Sequence, residues 1–340
     1  MAVRLRDVAE RAGVSIKTAS NVVNNYKHVR PATRSKVEQA IAELGYRPNL
    51  SARQLKYGRG GFVALALPYV NSPYFSELAS QFAAAAARIG FIPLLEITDG
   101  DIVAERHVLT GVQTHMIDAV VFSPLTVTAE EIAARLDTTP MVLLGERAIP
   151  AGYDHVAVDS VAAAEAMTHH LIGLGRRRIA AIGRESAQGT ASVRLDGYLT
   201  ALGSHGIEVD ESIMIGVDNY ERAAGYGAMQ HLLSLEEPPD AVFAFNDLLA
   251  LGALRACADA GVRVPGDVAV AGFDDIVEGH YSNPRLTTVS PDIPCLISEV
   301  LRLLNDLVHQ RERQVEDVVV PWRLQIREST VADARRHPPS

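Results

Sequence analysis

Cysteine is nearly absent from this chain: Cys257 and Cys295 are its only two, in no paired spacing. That excludes a disulfide framework and a cysteine-built zinc site, and it fits a reducing compartment. Aromatic residues make up only 6% of the 340 positions, so any core must be built from the alanine, valine and leucine that dominate the 48% hydrophobic fraction. Such a chain can still fill two or three ordinary domains. No run of 18 apolar residues occurs, so no membrane span is expected. The N-terminal stretch has acids and helix formers where a signal peptide needs an apolar segment, which predicts a soluble cytoplasmic protein.

Catalytic signatures are missing as well. Gly173-Leu174-Gly175 lacks a third glycine and stands at a helix end before a strand, the reverse of a dinucleotide-binding turn. There is no Walker string and no Gly-x-Ser-x-Gly elbow. His169 and His170 are adjacent and so fall on different helix faces, a poor metal geometry. Asp274 and Asp275 alternate sides if extended, which spoils an acid/base couple. Neither catalysis, nor a metal, nor a cofactor is expected.

Charge is present but segregated. Residues 1–60 hold 12 Lys/Arg against 4 Asp/Glu, out of 32 and 41 in the whole chain, so the remainder keeps 20 against 37. A head of net charge +8 thus precedes a body of −17, the balance of a nucleic-acid module fused to a part that stays off DNA.

Within the head, helical patterns at Val8 to Ala12 and Ile16 to Asn24 are joined by Gly13-Val14-Ser15 alone, so the two helices must cross sharply, as in a helix-turn-helix. In the second helix Lys17, Ser20, Asn21 and Asn24 form one polar stripe suited to base edges and phosphates, opposite Ala19, Val22 and Val23. Ser15 is placed to cap it. A third helix carries Val37, Ala40, Ile41 and Leu44 on one face and stops at Gly45. Residues 49–57 are too few for a stable isolated helix, which in water needs about 12 to 15.

The string Leu5-Arg6-Asp7-Val8-Ala9-Glu10-Arg11-Ala12-Gly13-Val14-Ser15, with Thr18, Ser20, Val22-Val23-Asn24, Thr33-Arg34, Val37 and Glu43-Leu44-Gly45-Tyr46-Arg47-Pro48-Asn49, resembles the headpiece of the lac-repressor (LacI/GalR) family of bacterial regulators. The resemblance implies DNA contacts from Leu5, Arg6, Ser15, Ile16, Lys17, Thr18, Asn21, Asn24, His28, Arg30, Thr33, Tyr46 and Asn49. It also implies a hinge helix that orders on DNA, with Leu55 wedged into the minor groove beside Ala52 and Arg53. Two departures stand out. Asn21 sits where many relatives carry arginine, which favours an adenine over a guanine contact. Arg30-Pro31 replaces a serine cap, a loss that proline at the first helical position tolerates.

From Phe62 onward short apolar runs alternate with helical stretches: Val63 to Leu67, Phe91 to Ile97, Ile117 to Phe122 and Met141 to Leu144, then Arg178 to Ile182, Ile213 to Val217, Ala241 to Phe245 and Val268 to Ala271. Such alternation means parallel α/β sheets, and two sets of four split near Val158-Asp159 suggest two lobes. The expected architecture is an all-α helix-turn-helix headpiece on an α/β body; the resemblance implies that this body has the two-lobed periplasmic-binding-protein-like (type I) fold. The boundaries read from it are 1–48 for the head, 49–61 for hinge and linker, and 62–330 for the body. In the body an N-lobe spans about 62–159 and 291–320, a C-lobe about 160–288 and 323–330, and a tail follows at 331–340. The chain is expected to cross between lobes near Asp159, near Val289 to Pro291 and near Pro321-Trp322.

Ligands of open parallel sheets bind where strands end. Asn71-Ser72-Pro73-Tyr74-Phe75 follows the first strand and resembles a family segment with Asn directly before Pro; which of Asn71 and Ser72 reaches ligand stays open. The resemblance makes Arg147, Asp159, Gln188, Thr190, Arg194, Tyr220, Asn246 and Asp274 effector-facing, with Tyr74 and Phe75 stacking on an apolar ligand face. Asp, Asn, Arg and aromatic rings together suit a polyol or sugar, although relatives also sense nucleobases. Asp247 is expected to cap a helix, Asp275 to be a solvated turn residue and Tyr226 to be core. These expectations add up to a dimeric regulator of a pseudo-palindromic operator, the tail lacking the leucine heptads of a tetramer. A periplasmic sugar carrier would not need the basic head, and an architectural DNA protein would not need a cleft.

Overall fold

The computed structural model describes residues 3–23, 26, 28–46, 60–111, 117–146, 149–184, 190–311 and 313–331. The chain packs as two units, Met1–Gly60 and Gly61–Ser340.

In the first unit α1 (Leu5–Ala12) ends at Gly13, whose φ of 67° is the left-handed conformation that closes a helix on its own carbonyls. Ser15 then caps α2 (Ile16–Val23), its hydroxyl accepting from the Thr18 amide at 3.1 Å, as the sequence predicts. Pro31 opens α3 (Pro31–Leu44) with no side-chain cap from Arg30, and Gly45 closes it at φ 61°. Val8, Ala9, Ala19, Val22, Val37 and Ala40 are the buried centre the three helices share.

The second unit runs β1 (Phe62–Leu67), α4 (Pro73–Arg88), β2 (Ile92–Ile97), α5 (Ile102–Leu109), β3 (Ile117–Phe122), α6 (Ala129–Ala133), β4 (Met141–Leu144), β5 (Asp154–Val158), α7 (Ser160–Gly173), β6 (Ile179–Ile182) and α8 (Thr190–Ser204). It continues through β7 (Met214–Ile215), α9 (Arg222–Leu233), β8 (Ala241–Ala244), α10 (Asp247–Asp259), β9 (Ala269–Phe273), α11 (Val277–His280), β10 (Thr287–Pro291), α12 (Ile293–Val308), β11 (Asp317–Val320) and β12 (Trp322–Gln325). One sheet has the order β11-β5-β4-β3-β1-β2 and the other β12-β10-β9-β8-β6-β7. All pairings are parallel except β12 against β10.

The parallel two-sheet fold is the expected one, with a difference in strand count. Each sheet has six strands rather than four, because β5, β10, β11 and β12 were not legible as apolar runs. The expected strand Ile213 to Val217 shrinks to Met214–Ile215, with a turn of 3₁₀ helix at Glu211–Ile213 before it. Central strands such as β1 are buried on both faces because helices cover both sides of a parallel sheet. The chain passes from the first sheet to α7 after Val158, returns between Pro291 and Ile293, and crosses again at Pro321. Trp322, just past that third crossing, packs against the apolar cores of both lobes.

The C-lobe holds a close helix pair. A Cβ on Gly252 of α10 would lie 2.0 Å from the Arg222 carbonyl oxygen, and one on Gly225 of α9 would lie 2.1 Å from that of Leu249. These two glycines let the backbones touch.

Candidate functional site

A cavity of about 530 Å³ lies where the strands of both sheets end. Nine of the residues expected there line it: Asn71, Ser72, Tyr74 and Phe75 from the start of α4, Thr190 and Arg194 from α8, and Tyr220, Asn246 and Asp274 from the later loops. Both Asn71 and Ser72 reach the cavity, so neither displaces the other. Asp159 does not line it; its carboxylate folds back to cap α7, accepting from the Ala162 amide at 2.9 Å. Arg147 and Gln188 lie outside the described residues.

Arg194 organises the site. It is buried, its guanidinium 3.6 Å from the Phe273 ring centroid, and it donates to the Phe245 carbonyl. Its far nitrogens face Glu146 at 3.3 Å and Asp274 at 3.7 Å. Ser160 holds the first Glu146 oxygen. The second Glu146 oxygen and Nε of Arg194 are buried without a hydrogen-bond partner. Groups like these are costly to leave unsatisfied.

Glu146 and Phe273 were missed by sequence reasoning, as were Tyr69, Asp99, Asn219 and Arg222, which also line the cavity. The signal for two of them was adjacency: Glu146 follows the β4 end directly before Arg147, and Phe273 directly precedes Asp274.

Asp274 is held at φ 116°, a backbone conformation that L side chains rarely adopt, with its amide bonded to the Val289 carbonyl at 2.9 Å. Burial pushes its carboxyl up to about 7, Arg194 pulling it down and Glu146 pushing it further up. Burial, together with Asp274 and Glu146, likewise drives the Tyr74 phenol well above its ordinary range. Asn246 spends much of its capacity on the fold. Its oxygen accepts from the Leu249 amide at 2.8 Å, capping α10, and its nitrogen donates to the Tyr220 carbonyl at 3.2 Å. The cap expected of Asp247 therefore belongs to its neighbour.

Asp247 itself is fully buried, accepting from the Thr288 hydroxyl at 2.6 Å and the Ile276 amide at 2.9 Å, and burial holds its carboxyl well above the ordinary range. Asp275 is half-buried rather than solvated, paired with Arg327 at 2.6 Å and His280 at 2.9 Å. Tyr226 packs on the C-lobe core but keeps its hydroxyl on Asp259 at 3.2 Å.

One wall of the cavity hangs on a buried acid. Glu105 of α5 accepts from the amides of Leu125, Thr126 and Val127 at 2.7 to 2.9 Å and from the Thr126 hydroxyl at 2.8 Å, fixing the segment Ser123-Pro124-Leu125 that faces the cleft. Glu105→Gln would turn an NH₂ toward those donors. A loss of about 3 kcal/mol in urea unfolding is expected, where an unchanged midpoint would show that the loop stands without the clamp.

In the head, Ile16 and Lys17 are exposed at the start of α2, with Thr18, Ser20 and Asn21 half-buried behind them. Arg6, Ser15, His28 and Arg30 are exposed and Thr33 is half-buried, whereas Leu5 and Tyr46 also pack on the small core. Asn24, Asn49, Ala52, Arg53 and Leu55 lie outside the described residues.

A two-lobed parallel α/β receptor with a polar cleft, preceded by a helix-turn-helix, defines a ligand-responsive DNA-binding regulator. Comparison with known proteins places it further. Residues 4–49 match the model for bacterial regulatory proteins of the lacI family, and residues 168–330 that of the periplasmic binding protein-like domain. The transcriptional regulator DegA of Bacillus subtilis is 31% identical over 97% of this chain and 98% of its own. Among solved structures, the CelR–cellobiose complex superposes with a TM-score of 0.70 at 31% identity, covering 96% of this chain and 99% of that one. The lac repressor dimer bound to operator and the anti-inducer ONPF superposes at 0.81 with 25% identity, covering 98% and 100%. The chain belongs to the lacI family of bacterial regulatory proteins; it is a DNA-binding transcription regulator, not an enzyme. Among the described residues no helix is long and apolar enough to cross a membrane, and no group of three or more His, Cys, Asp or Glu could hold a metal ion.

Proposed function

We propose that this chain is a cytoplasmic homodimeric repressor that grips a pseudo-palindromic operator and releases it when a sugar or sugar derivative fills the cleft. The observation that carries the effector class is Arg194 set between Glu146 and Asp274 at a cavity walled also by Tyr74, Phe75, Tyr220 and Phe273. Hydroxyls need donors and acceptors at once, sugar rings present apolar faces to aromatics, and a cavity of about 530 Å³ admits a mono- or disaccharide. The CelR–cellobiose complex supports the class, and the operator-bound lac repressor dimer supports the partner and the symmetry.

Ligand in the cleft alters the angle between lobes, and through the paired N-lobes of a dimer it changes the spacing of the two segments around residues 49–61 that lead to the heads. A coupling of about 1 to 3 kcal/mol changes operator affinity about 5- to 150-fold. The test is selection of an operator from random duplexes by the full chain, followed by gel-shift titration with a panel of sugars. Weakened binding within that range is the expected result. Tightening would make the effector a corepressor, and indifference to every sugar would remove the effector class. On the same operator Asn21→Ala is expected to relax base preference by about 1 to 3 kcal/mol at one position per half-site; an unchanged selected sequence would take Asn21 out of the reader.

A further inference from the structure

Among the described residues the cleft carries more carboxylates than cations. Arg194 is the one cation within ion-pair reach of both Glu146 and Asp274 among the described residues, and it sits closer to Glu146, at 3.3 Å against 3.7 Å. Asp247 stands behind Asp274, fully buried, its oxygens on Thr288 and Ile276 and not on a cation. Tyr74 faces the same acids from α4, and Tyr220 lies near Arg194 on the loop before α9. Asp275, the residue after Asp274, is already matched by Arg327 and His280. Farther out on the cavity wall Asp99 and Glu221 add two acids against Arg222, which is itself paired with Glu278 at 3.2 Å.

One guanidinium cannot neutralise two buried carboxylates with a third behind them, and a buried charge without compensation keeps its proton. Glu146 has the shorter contact to Arg194 and also accepts from the Ser160 hydroxyl. Asp274 is left with a single ion-pair contact at 3.7 Å.

We infer that the empty cleft stores one proton on Asp274 and that the effector, a neutral or cationic polyhydroxyl compound and not a phosphorylated or carboxylated one, expels it on binding. This rests on the effector reading above and adds its charge class and its proton. A ligand hydroxyl or ammonium donates to the Asp274 carboxylate, and the displaced proton passes to solvent. An anionic ligand would add charge to a wall where, among the described residues, one cation is shared by two acids. The value of about 7 for Asp274, raised chiefly by burial, places the event at physiological pH. With one proton released, affinity rises about tenfold between pH 6 and pH 8.

The experiment uses the full chain labelled with ¹³C at aspartate carboxyls. One resonance titrating near pH 7 and missing from Asp274→Asn is expected, and Glu146→Gln should lower its midpoint by removing the neighbouring charge. If Asp274→Asn does not fold, the Glu146→Gln shift alone decides. A spectrum in which every aspartate other than Asp247 is ionised by pH 5.5, or a midpoint near 7 that ignores Glu146→Gln, overturns the stored proton. Inorganic phosphate, compared with chloride at equal ionic strength, is expected to leave the thermal midpoint unchanged. A phosphate-specific rise that disappears in Arg194→Gln overturns the charge class. A titrating carboxyl in a protein that responds to no sugar would refute the effector reading of the previous section while leaving the proton in place.

Discussion

Arg194→Met is expected to lower effector affinity at least about 100-fold while operator binding in the absence of effector stays at the wild-type level. Methionine keeps apolar contact with Phe273 but removes the one cation that, among the described residues, faces both Glu146 and Asp274, and with it the donor to the Phe245 carbonyl. Truncating one side of a buried ion pair costs about 3 to 5 kcal/mol when the other side stays charged. Here the acids can take up protons, so the cost depends on pH. Removing the cation raises the carboxyl values of the folded state, and a folded-state value raised above the unfolded one contributes stability at low pH that is lost as pH rises through it. The variant should therefore sit close to wild type at pH 5 and fall about 3 kcal/mol below it at pH 8. Urea unfolding at both values and gel shifts with and without sugar check the two halves. A variant that still lets go of its operator on adding sugar would remove Arg194 from the site.

The second large effect is far from the cleft opening. Gly252→Ala would drive a Cβ to 2.0 Å from the Arg222 carbonyl oxygen and 2.6 Å from the Tyr226 amide nitrogen, so α9 and α10 must move apart. Rigid backbone is on both sides of this clash, and no side chain can rotate away from it. A loss of about 3 kcal/mol is expected, at the upper end of overpacking effects, despite the gain of about 1 kcal/mol that alanine brings to a helix. Gly227→Ala in α9 is the control, since a Cβ there meets nothing within 4 Å. It should leave stability unchanged or raise it by up to about 1 kcal/mol. Equal urea midpoints for the two variants would show that the helices can slide.

The helix-turn-helix and the central strands were legible because their signals are local. Gly13 and Ser15 close one helix and open the next within three residues, and β1, β3, β4, β6, β8 and β9 are short apolar runs buried on both faces. The missed strands carry weaker patterns. β11 alternates exposed positions with a half-buried and a buried one at a sheet edge, and β12, Trp-Arg-Leu-Gln, is polar at every second residue. β5 opens with Asp154 and His155, whose side chains are buried by pairing with Arg313 and Asp317 across long sequence separations. Periodicity cannot report that.

The cleft was legible wherever a residue type announces its role at a strand end, as Arg194 and Asp274 do. It was not legible where a role depends on a partner. Nothing near Glu146 in sequence reveals that Arg194, 48 residues later, needs a counter-ion. Asn246 and Asp247 were assigned to ligand and cap; the structure gives the cap to Asn246 and sends Asp247 to Thr288 and Ile276, a choice made by β10.

Trp322 is the only tryptophan in the chain, and it touches the apolar core of each lobe just past the third crossing. Any change in the angle between lobes alters the polarity and packing around that single indole. The protein thus comes with its own optical gauge: a shift in emission wavelength on adding a compound reports hinge motion directly, without dye, label or DNA.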